Sequence, residues 1–209
     1  MKTVTVIDYG MSNLRSVSKA LEHVAGKDWR VQVSDKVDVI QKSDKVVFPG
    51  QGAIGNCMTL LKKKGLDDAI MRSLERTPFL GICLGLQTLL TTSEESGGTA
   101  GFNWIYGTVR RFNEKRLGEH FKIPHMGWNQ VQQNFWHPLW LNIPEKSRFY
   151  FVHSYYVNPG NSSIIAGNTD YGNFNFTAVV ARGNVFAVQF HPEKSQKVGL
   201  TLLKNFLNW

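Results

Sequence analysis

The first half of the chain alternates short apolar runs with segments whose apolar residues recur at helical spacing. The strand-like runs lie at 4–7, 29–33, 46–48 and 79–82. Buried strands that are joined through helices predict a parallel sheet covered on both faces. Active sites in such sheets lie at the carboxyl ends of the strands, so residues that follow these runs are the first candidates for chemistry.

Helices are predicted between the strands. Ser12 can cap the first, whose apolar positions lie within 17–24. Two more are predicted at 57–64 and 67–76. A fourth begins directly after the strand at 79–82 and is predicted to run over 84–90.

The second half has a different composition. Residues 97–183 are rich in glycine, asparagine and aromatic residues, and short β patterns occur at 109–112, 128–131, 148–152, 164–166 and 178–181. They predict an antiparallel or mixed layer added to the same domain. A last buried strand is predicted at 185–189, and Ser195 can cap a closing helix. No linker or repeat divides the chain, so one domain over 1–209 is predicted.

Composition narrows the class of protein. The 209 residues are 42% hydrophobic and 19% charged, as in ordinary globular proteins. The net charge of +8 comes from scattered lysines without interleaved aromatics, which disfavours nucleic-acid binding. No apolar run could span a membrane, and the first residues read as a strand, not as a signal peptide, so a cytoplasmic protein is expected. The two cysteines and six histidines lack the spacing of a metal site.

The sequence Gly-Ile-Cys-Leu-Gly at 81–85 fits the pattern of a nucleophile elbow between a strand and a helix. The flanking glycines would let this strained turn pack against neighbouring backbone. Cys83 would then lie at a helix N-terminus, which favours thiolate, and the backbone N–H of Leu84 would face a developing oxyanion. The alternative is a small buried cysteine between two packing glycines. Cys57 lies among apolar helix residues and is interpreted as core.

A candidate base follows the last strand. His191 and Glu193 stand in the sequence Gln-Phe-His-Pro-Glu, at the carboxyl edge predicted for Cys83. A cysteine hydrolase needs an imidazole to move the proton and a further group to hold that imidazole. His153 also follows a predicted strand and is the competing base, but it has no nearby carboxylate in sequence. A strand-end histidine and a surface glutamate are the alternatives for His191 and Glu193.

These motifs resemble class I (triad-type) glutamine amidotransferases. The resemblance rests on the elbow, the Pro-Gly-Gln-Gly loop at 49–52 and the closing Gln-Phe-His-Pro-Glu-Lys-Ser at 189–195. Within that family, Asp-Tyr-Gly at 8–10, Pro-His-Met-Gly-Trp-Asn at 124–129 and Tyr-Phe-Val-His-Ser-Tyr at 150–155 are similar to the glutaminase subunits of imidazole glycerol phosphate synthases. The resemblance covers nearly the whole chain.

The resemblance implies a fold, a reaction and a site. The fold would be a flavodoxin-like three-layer α/β sandwich, with a mostly parallel central sheet and an added antiparallel layer. Glutamine would be hydrolysed through a thioester on Cys83, with His191 as acid and base and Glu193 orienting it. The other implied residues form two groups. The oxyanion hole would comprise Gly50, Gln51, Gly52 and Leu84. Glutamine would be held by Gly52, Gln87, His153, Ser154 and Tyr155.

The resemblance also implies a partner and no cofactor. A (β/α)8-barrel cyclase subunit would form a heterodimer with this chain and receive ammonia for histidine biosynthesis, making imidazole glycerol phosphate and an aminoimidazole carboxamide ribotide. Residues that match its interface are Asn13, His125, Trp128, Tyr150 and Lys194. Many relatives carry valine where Gln51 stands, which leaves the loop's behaviour open.

Three other classes stay open from sequence. An amidotransferase subunit for another acceptor would keep the triad and lose the match at 124–129, although a sugar-amidating paralogue could keep more of it. A cysteine peptidase would not need Gln87 or the loop at 49–52. A non-catalytic scaffold would not need Cys83.

Overall fold

The computed structural model describes residues 1–11 and 13–209. Its strands are β1 (Lys2–Ile7), β2 (Trp29–Ser34), β3 (Lys45–Gly50), β4 (Phe79–Cys83), β5 (Leu90–Ser93), β6 (Thr99–Ala100), β7 (Ile105–Arg111), β8 (His125–Gln130), β9 (Gln132–Gln133), β10 (Arg148–His153), β11 (Tyr155–Pro159), β12 (Ile165–Tyr171), β13 (Phe174–Arg182) and β14 (Val185–Val188). Its α-helices are α1 (Leu14–Ala25), α2 (Val37–Gln41), α3 (Ile54–Lys64), α4 (Asp67–Arg76), α5 (Leu84–Gln87), α6 (Glu114–Leu117) and α7 (Gln196–Asn208).

A parallel core organises the sheet. Strands β2, β1, β3, β4 and β14 lie side by side in that order, and all four pairings are parallel. Strands β4 and β14 are direct neighbours in this core, with Val188 opposite Ile82. Since parallel strands end at the same edge, residues that follow β4 and β14 meet there.

Helices cover both faces of this core. On one face, α1 and α7 bury Val17, Leu21, Leu202 and Phe206 in a single apolar cluster. On the other, α3 and α4 bury residues such as Ile54 and Leu74 in a second cluster. Each such large apolar side chain stabilises the fold by roughly 1.5–3 kcal/mol when fully buried. The result is the three-layer α/β arrangement predicted from the sequence.

The antiparallel part continues the same sheet. Beyond β14 the order is β13, β11, β7, β5 and β6; β12 branches from β13, and β9 pairs with β12. Strands β8 and β10 form a separate two-stranded antiparallel sheet. The predicted β patterns of 97–183 fall on β7, β8, β10, β12 and β13, although most of these strands are longer than predicted.

Three local predictions need correction or comment. The helix predicted over 84–90 ends at Gln87, because Leu90 pairs with Ile105 as part of β5. Ser195 precedes α7 but does not cap it: its hydroxyl donates to the His191 carbonyl and accepts from the Tyr150 backbone N–H. Ser12, the proposed cap of α1, lies outside the described residues.

Candidate active site

Cys83 ends β4 in a strained conformation. Its φ of +54° is in a region that non-glycine residues rarely adopt, at a cost of about 1–3 kcal/mol. A β-carbon on Gly85 would lie 2.0 Å from the carbonyl oxygen of Phe48, and one on Gly81 would lie 3.0 Å from the β-carbon of Ala187. The elbow glycines are therefore required by close packing, as the sequence predicted.

His191 follows β14 at the same edge. Its Nδ1 is 2.8 Å from Oε1 of Glu193, so the ring donates to the carboxylate. Both side chains are buried. The other ring nitrogen, Nε2, is buried and has no hydrogen-bond partner. It is therefore the atom available to Cys83.

The protonation of His191 depends on its two neighbours. Burial alone lowers the pKa of the imidazole. The negative charge of Cys83, followed by the hydrogen bond and charge of Glu193, outweighs burial and raises that pKa to about 10. His191 can therefore carry a proton at neutral pH, which a general acid requires.

The loop 50–52 packs directly against the elbow. A β-carbon on Gly50 would lie 2.7 Å from that of Leu84 and 3.0 Å from the hydroxyl of Tyr9. Gly52 has a φ of +85°, which favours glycine. Tyr9 is fully buried below the loop, and burial, followed by the charge of Cys57, raises its pKa, so it is a neutral phenol.

A pocket of about 420 Å³ opens above the cysteine. It brings together most of the predicted site residues: Gln51, Gly52, Cys83, Leu84, Gln87, His153, Ser154, Tyr155, His191 and Lys194. Gly50 and Glu193 do not line it; they lie behind Leu84 and His191 respectively. The pocket therefore joins the candidate nucleophile, the base and the candidate substrate groups.

Two groups at the pocket were missed by the sequence analysis. Glu95 lines the pocket and accepts a hydrogen bond from the backbone N–H of Ile54, at 2.8 Å. Gln189 lies behind Cys83, with its Nε2 3.5 Å from Sγ. Glu95 has no sequence signal beyond its charge. Gln189 belongs to the motif that contains His191, which could have raised the question of its role.

His153 is not placed to act as the base. Its Nδ1 donates to the Tyr155 carbonyl at 2.7 Å, and its Nε2 is 2.9 Å from Nδ1 of His125. Burial, and secondarily the charge of His125, lowers its pKa to about 3. Both ring nitrogens are thus occupied within the protein, and the ring is neutral.

Three of the candidate interface residues form one surface cluster. Trp128 is 39% exposed and its ring meets Tyr150 edge-on at 6.1 Å. The ammonium of Lys194 lies 5.9 Å above the Tyr150 ring. His125 is in the same strand as Trp128, but its side chain is buried. Asn13 is half-buried and accepts from the Ser16 hydroxyl.

The whole chain was compared with known proteins. The family model for "Glutamine amidotransferase class-I" matches residues 5–209. The chain belongs to the class-I glutamine amidotransferase family. Two relatives named imidazole glycerol phosphate synthase subunit HisH are similar over 100% of this chain. That of Methylococcus capsulatus is 54% identical, with 97% of its length covered. That of Hydrogenovibrio crunogenus is 51% identical, also with 97% covered. The resemblance drawn from the motifs is confirmed.

Solved structures agree on the fold. A putative GMP synthase component from Thermoplasma acidophilum has a TM-score of 0.71 at 18% identity, covering 100% of this chain and 93% of that one. A glutamine amidotransferase from Thermotoga maritima has a TM-score of 0.65 at 18% identity, covering 92% and 76%. Within residues 1–11 and 13–209, no helix is long and apolar enough to cross a membrane.

Proposed function

We propose that this amidotransferase is the glutaminase subunit of an imidazole glycerol phosphate synthase, and that Cys83, His191 and Glu193 are its catalytic triad. The observation that carries the proposal is their convergence at one edge of the sheet. Cys83 ends β4, and His191 follows the adjacent parallel strand β14 with Glu193 bound to its Nδ1. The chain 1–209 acts as one domain, because a single sheet joins its two halves.

The reaction follows from these positions. The Cys83 thiolate attacks the side-chain carboxamide carbon of L-glutamine, and the carbonyl oxygen becomes an oxyanion. The backbone N–H of Leu84 and the loop 50–52 hold that oxyanion. His191 gives its proton to the leaving nitrogen, which departs as ammonia and leaves a glutamyl thioester. His191 then takes a proton from water, and the hydroxide attacks the thioester carbon. The C–S bond breaks, which releases glutamate, with its carboxyl proton lost to solvent, and restores the Cys83 thiolate beside protonated His191.

The pocket has polar groups that suit a free amino acid. Glu95 supplies a carboxylate for the α-ammonium group of glutamine, on the loop side of the pocket. Gln87 and the segment 153–155 line another wall of the pocket. The pocket volume of about 420 Å³ is in the range of small-molecule sites and is sufficient for one amino acid.

Ammonia transfer requires a closed path. Ammonia is largely protonated at neutral pH and then is no nucleophile. A partner that covers the pocket mouth keeps it neutral and concentrated. The partner is the (β/α)8-barrel cyclase subunit, and the exposed cluster of Trp128, Tyr150 and Lys194 supports this docking face, because aromatic residues are enriched in interfaces. We assign Asn13 and His125 to the same interface on the resemblance alone.

The location we propose is the cytoplasm. Cys57 and Cys83 are both unpaired thiols, as expected in a reducing compartment. Cys83 must stay reduced to act as a nucleophile.

The test uses the chain together with a cyclase subunit of a synthase. We expect glutamine-dependent formation of imidazole glycerol phosphate by the complex and weak glutaminase activity from the chain alone. Cys83→Ala should lose glutamine-dependent turnover, while the complex still works with added ammonium salts. Full glutaminase activity of Cys83→Ala would exclude the triad, and failure to bind the cyclase would exclude the partner.

A further inference from the structure

A continuous series of hydrogen bonds runs from strand β8 to the sulfur of Cys83. It starts at Asn129, whose Nδ2 is 3.3 Å from Nε2 of His125, and continues through the His125–His153 contact to the Tyr155 carbonyl. Nε2 of Gln87 donates to that same carbonyl at 3.1 Å and to Oε1 of Gln189 at 3.2 Å. Nε2 of Gln189 ends the series, 3.5 Å from Sγ.

The direction of every bond in the series is fixed by one backbone carbonyl. The Tyr155 oxygen can only accept, so Nδ1 of His153 carries its hydrogen and the Gln87 amide turns its NH₂ toward Tyr155. The second hydrogen of that NH₂ points at Gln189, whose oxygen must therefore face Gln87. The NH₂ of Gln189 is left facing the cysteine, so its orientation is determined by the network.

The donor and acceptor roles of His153 and His125 follow from the same carbonyl. With Nδ1 protonated, neutral His153 accepts at Nε2, so His125 donates from Nδ1 and accepts at Nε2. Asn129 can supply that donor, because its other amide hydrogen goes to the Asp170 carbonyl at 2.7 Å. Burial lowers the pKa of His125 to about 4. Both rings are therefore neutral, as this series of bonds requires.

We propose that Gln189 is a further catalytic residue, which donates an N–H to the Cys83 sulfur and stabilises its thiolate, and that His153 and His125 are positioning residues that fix the orientation of the Gln189 amide. The inference rests on the proposed function, because it assumes that Cys83 is the nucleophile. Hydrogen bonds to a charged acceptor are about twice as strong as neutral ones, so the contact favours thiolate over thiol.

Packing alone does not explain these polar side chains. Gln189 is 0% exposed, directly after an apolar strand of the central sheet. Its backbone N–H donates to the Ala178 carbonyl at 2.8 Å, which fixes where the side chain starts. An apolar residue of similar length would fill this place without the cost of desolvating an amide. The amide is matched instead to a sulfur on one side and to Gln87 on the other.

Other groups also act on the sulfur, and the test has to separate them from Gln189. His191 faces Cys83 from the end of β14, with Glu193 behind it. Tyr9 lies below the neighbouring loop. Glu95 and Lys194 line the same pocket. None of these is altered by a substitution at 189.

The experiment measures the rate of Cys83 alkylation by iodoacetamide across pH, on the full chain, with peptide mass spectrometry separating Cys83 from Cys57. Gln189→Met keeps the length of the side chain and removes the donor. We expect the pH at which the Cys83 alkylation rate is half-maximal (the alkylation midpoint) to rise by about one unit in Gln189→Met. At a fixed pH this corresponds to about tenfold less thiolate. Gln189→Glu should move it further, because a carboxylate repels the thiolate.

A matched control is Asn205→Leu. Asn205 is another buried amide, which donates to the Leu139 and Leu141 carbonyls, in α7. The Asn205→Leu variant should have a lower melting temperature and an unchanged alkylation midpoint. An unchanged midpoint in folded Gln189→Met and Gln189→Glu overturns the catalytic role of Gln189.

The positioning role has its own variant. His153→Phe keeps a ring of similar shape among Phe112 and Phe176 and removes both hydrogen bonds. We expect a smaller shift in the same direction, and little further shift when it is combined with Gln189→Met. If the shifts of the alkylation midpoint in His153→Phe and Gln189→Met add in the double variant, His153 does not act through Gln189 and its positioning role is overturned. Failure of the proposed function is distinct, since Cys83→Ala would then keep glutaminase activity whatever the alkylation of the other variants gives.

Discussion

His191 and His153 line the same pocket but have opposite protonation. Burial lowers the pKa of His191, but the negative charges of Cys83 and Glu193 raise it to about 10. His153 faces a carbonyl and a second neutral imidazole, and its pKa is lowered to about 3. Both rings are buried, so burial does not separate them. The charge of the partners decides which ring carries a proton and which serves as a neutral connector.

Replacing the two histidines in parallel tests this division most directly. We expect His191→Phe to lower glutamine-dependent kcat by at least about 10³-fold, because the acid–base group is lost. We expect His153→Phe to lower it by about tenfold, through positioning alone. The measurement is steady-state turnover of the complex with the cyclase subunit, with ammonium-dependent turnover as the control. Equal losses in both variants would end the distinction.

Removing the charge beside His191 should make it resemble His153. Glu193→Gln keeps the shape and removes the carboxylate that raises the pKa of the ring. We expect about a 10²-fold lower kcat and a lower pKa for the imidazole. Histidine NMR titration gives that pKa directly. A His191 titration identical to that of the wild type would mean that Glu193 does not stabilise the protonated imidazole.

The neutral pair should appear in acid stability. The pKa values of His125 and His153 are depressed from 6.5 to about 4 and about 3. Below pH 6.5 these two histidines bind protons in the unfolded chain but not in the folded chain. The free energy of unfolding therefore falls as the pH falls from 6.5 toward 4. The slope is at most about 1.4 kcal/mol per pH unit for each histidine. Urea unfolding of His125→Phe at several pH values should show that the free energy of unfolding depends less on pH than in the wild type. An equal dependence would mean that His125 is not one of the groups that bind protons on unfolding.

The smallest effect is expected at the outer end of the series. Asn129→Ala removes the 3.3 Å contact to His125, which is the longest side-chain bond of the series apart from the one to sulfur, together with the bond to the Asp170 carbonyl. We expect a two- to threefold lower kcat, equivalent to about 0.5 kcal/mol. Gln130→Ala, on the exposed neighbour in the same strand, serves as the control for surface damage. A tenfold loss at Asn129 would show that the outer bond carries more weight than its length indicates.

Local patterns predicted the elbow and the parallel core. The glycines at 81 and 85 flank a cysteine between an apolar strand and a helix, and close packing against Phe48 and Ala187 explains why. The helix at 67–76 was placed correctly because its period is strong. The helix at 84–90 was predicted too long, because pairing of Leu90 with Ile105 is a contact between distant residues that no local period reveals.

The sequence by itself determined the fold class, the family and which residues carry reactive groups, because periodicity, glycine placement and chemical type are written locally. The sequence already favoured His191 as the base because Glu193 lies two residues away, but only the tertiary structure decided that His153 is neutral. That depends on what each ring meets: Glu193 two residues away for His191, but His125 from a different strand for His153. Tertiary contacts also oriented the Gln189 amide toward the Cys83 sulfur. That orientation is set, through Gln87, by the backbone carbonyl of Tyr155, which lies 34 positions earlier in the chain.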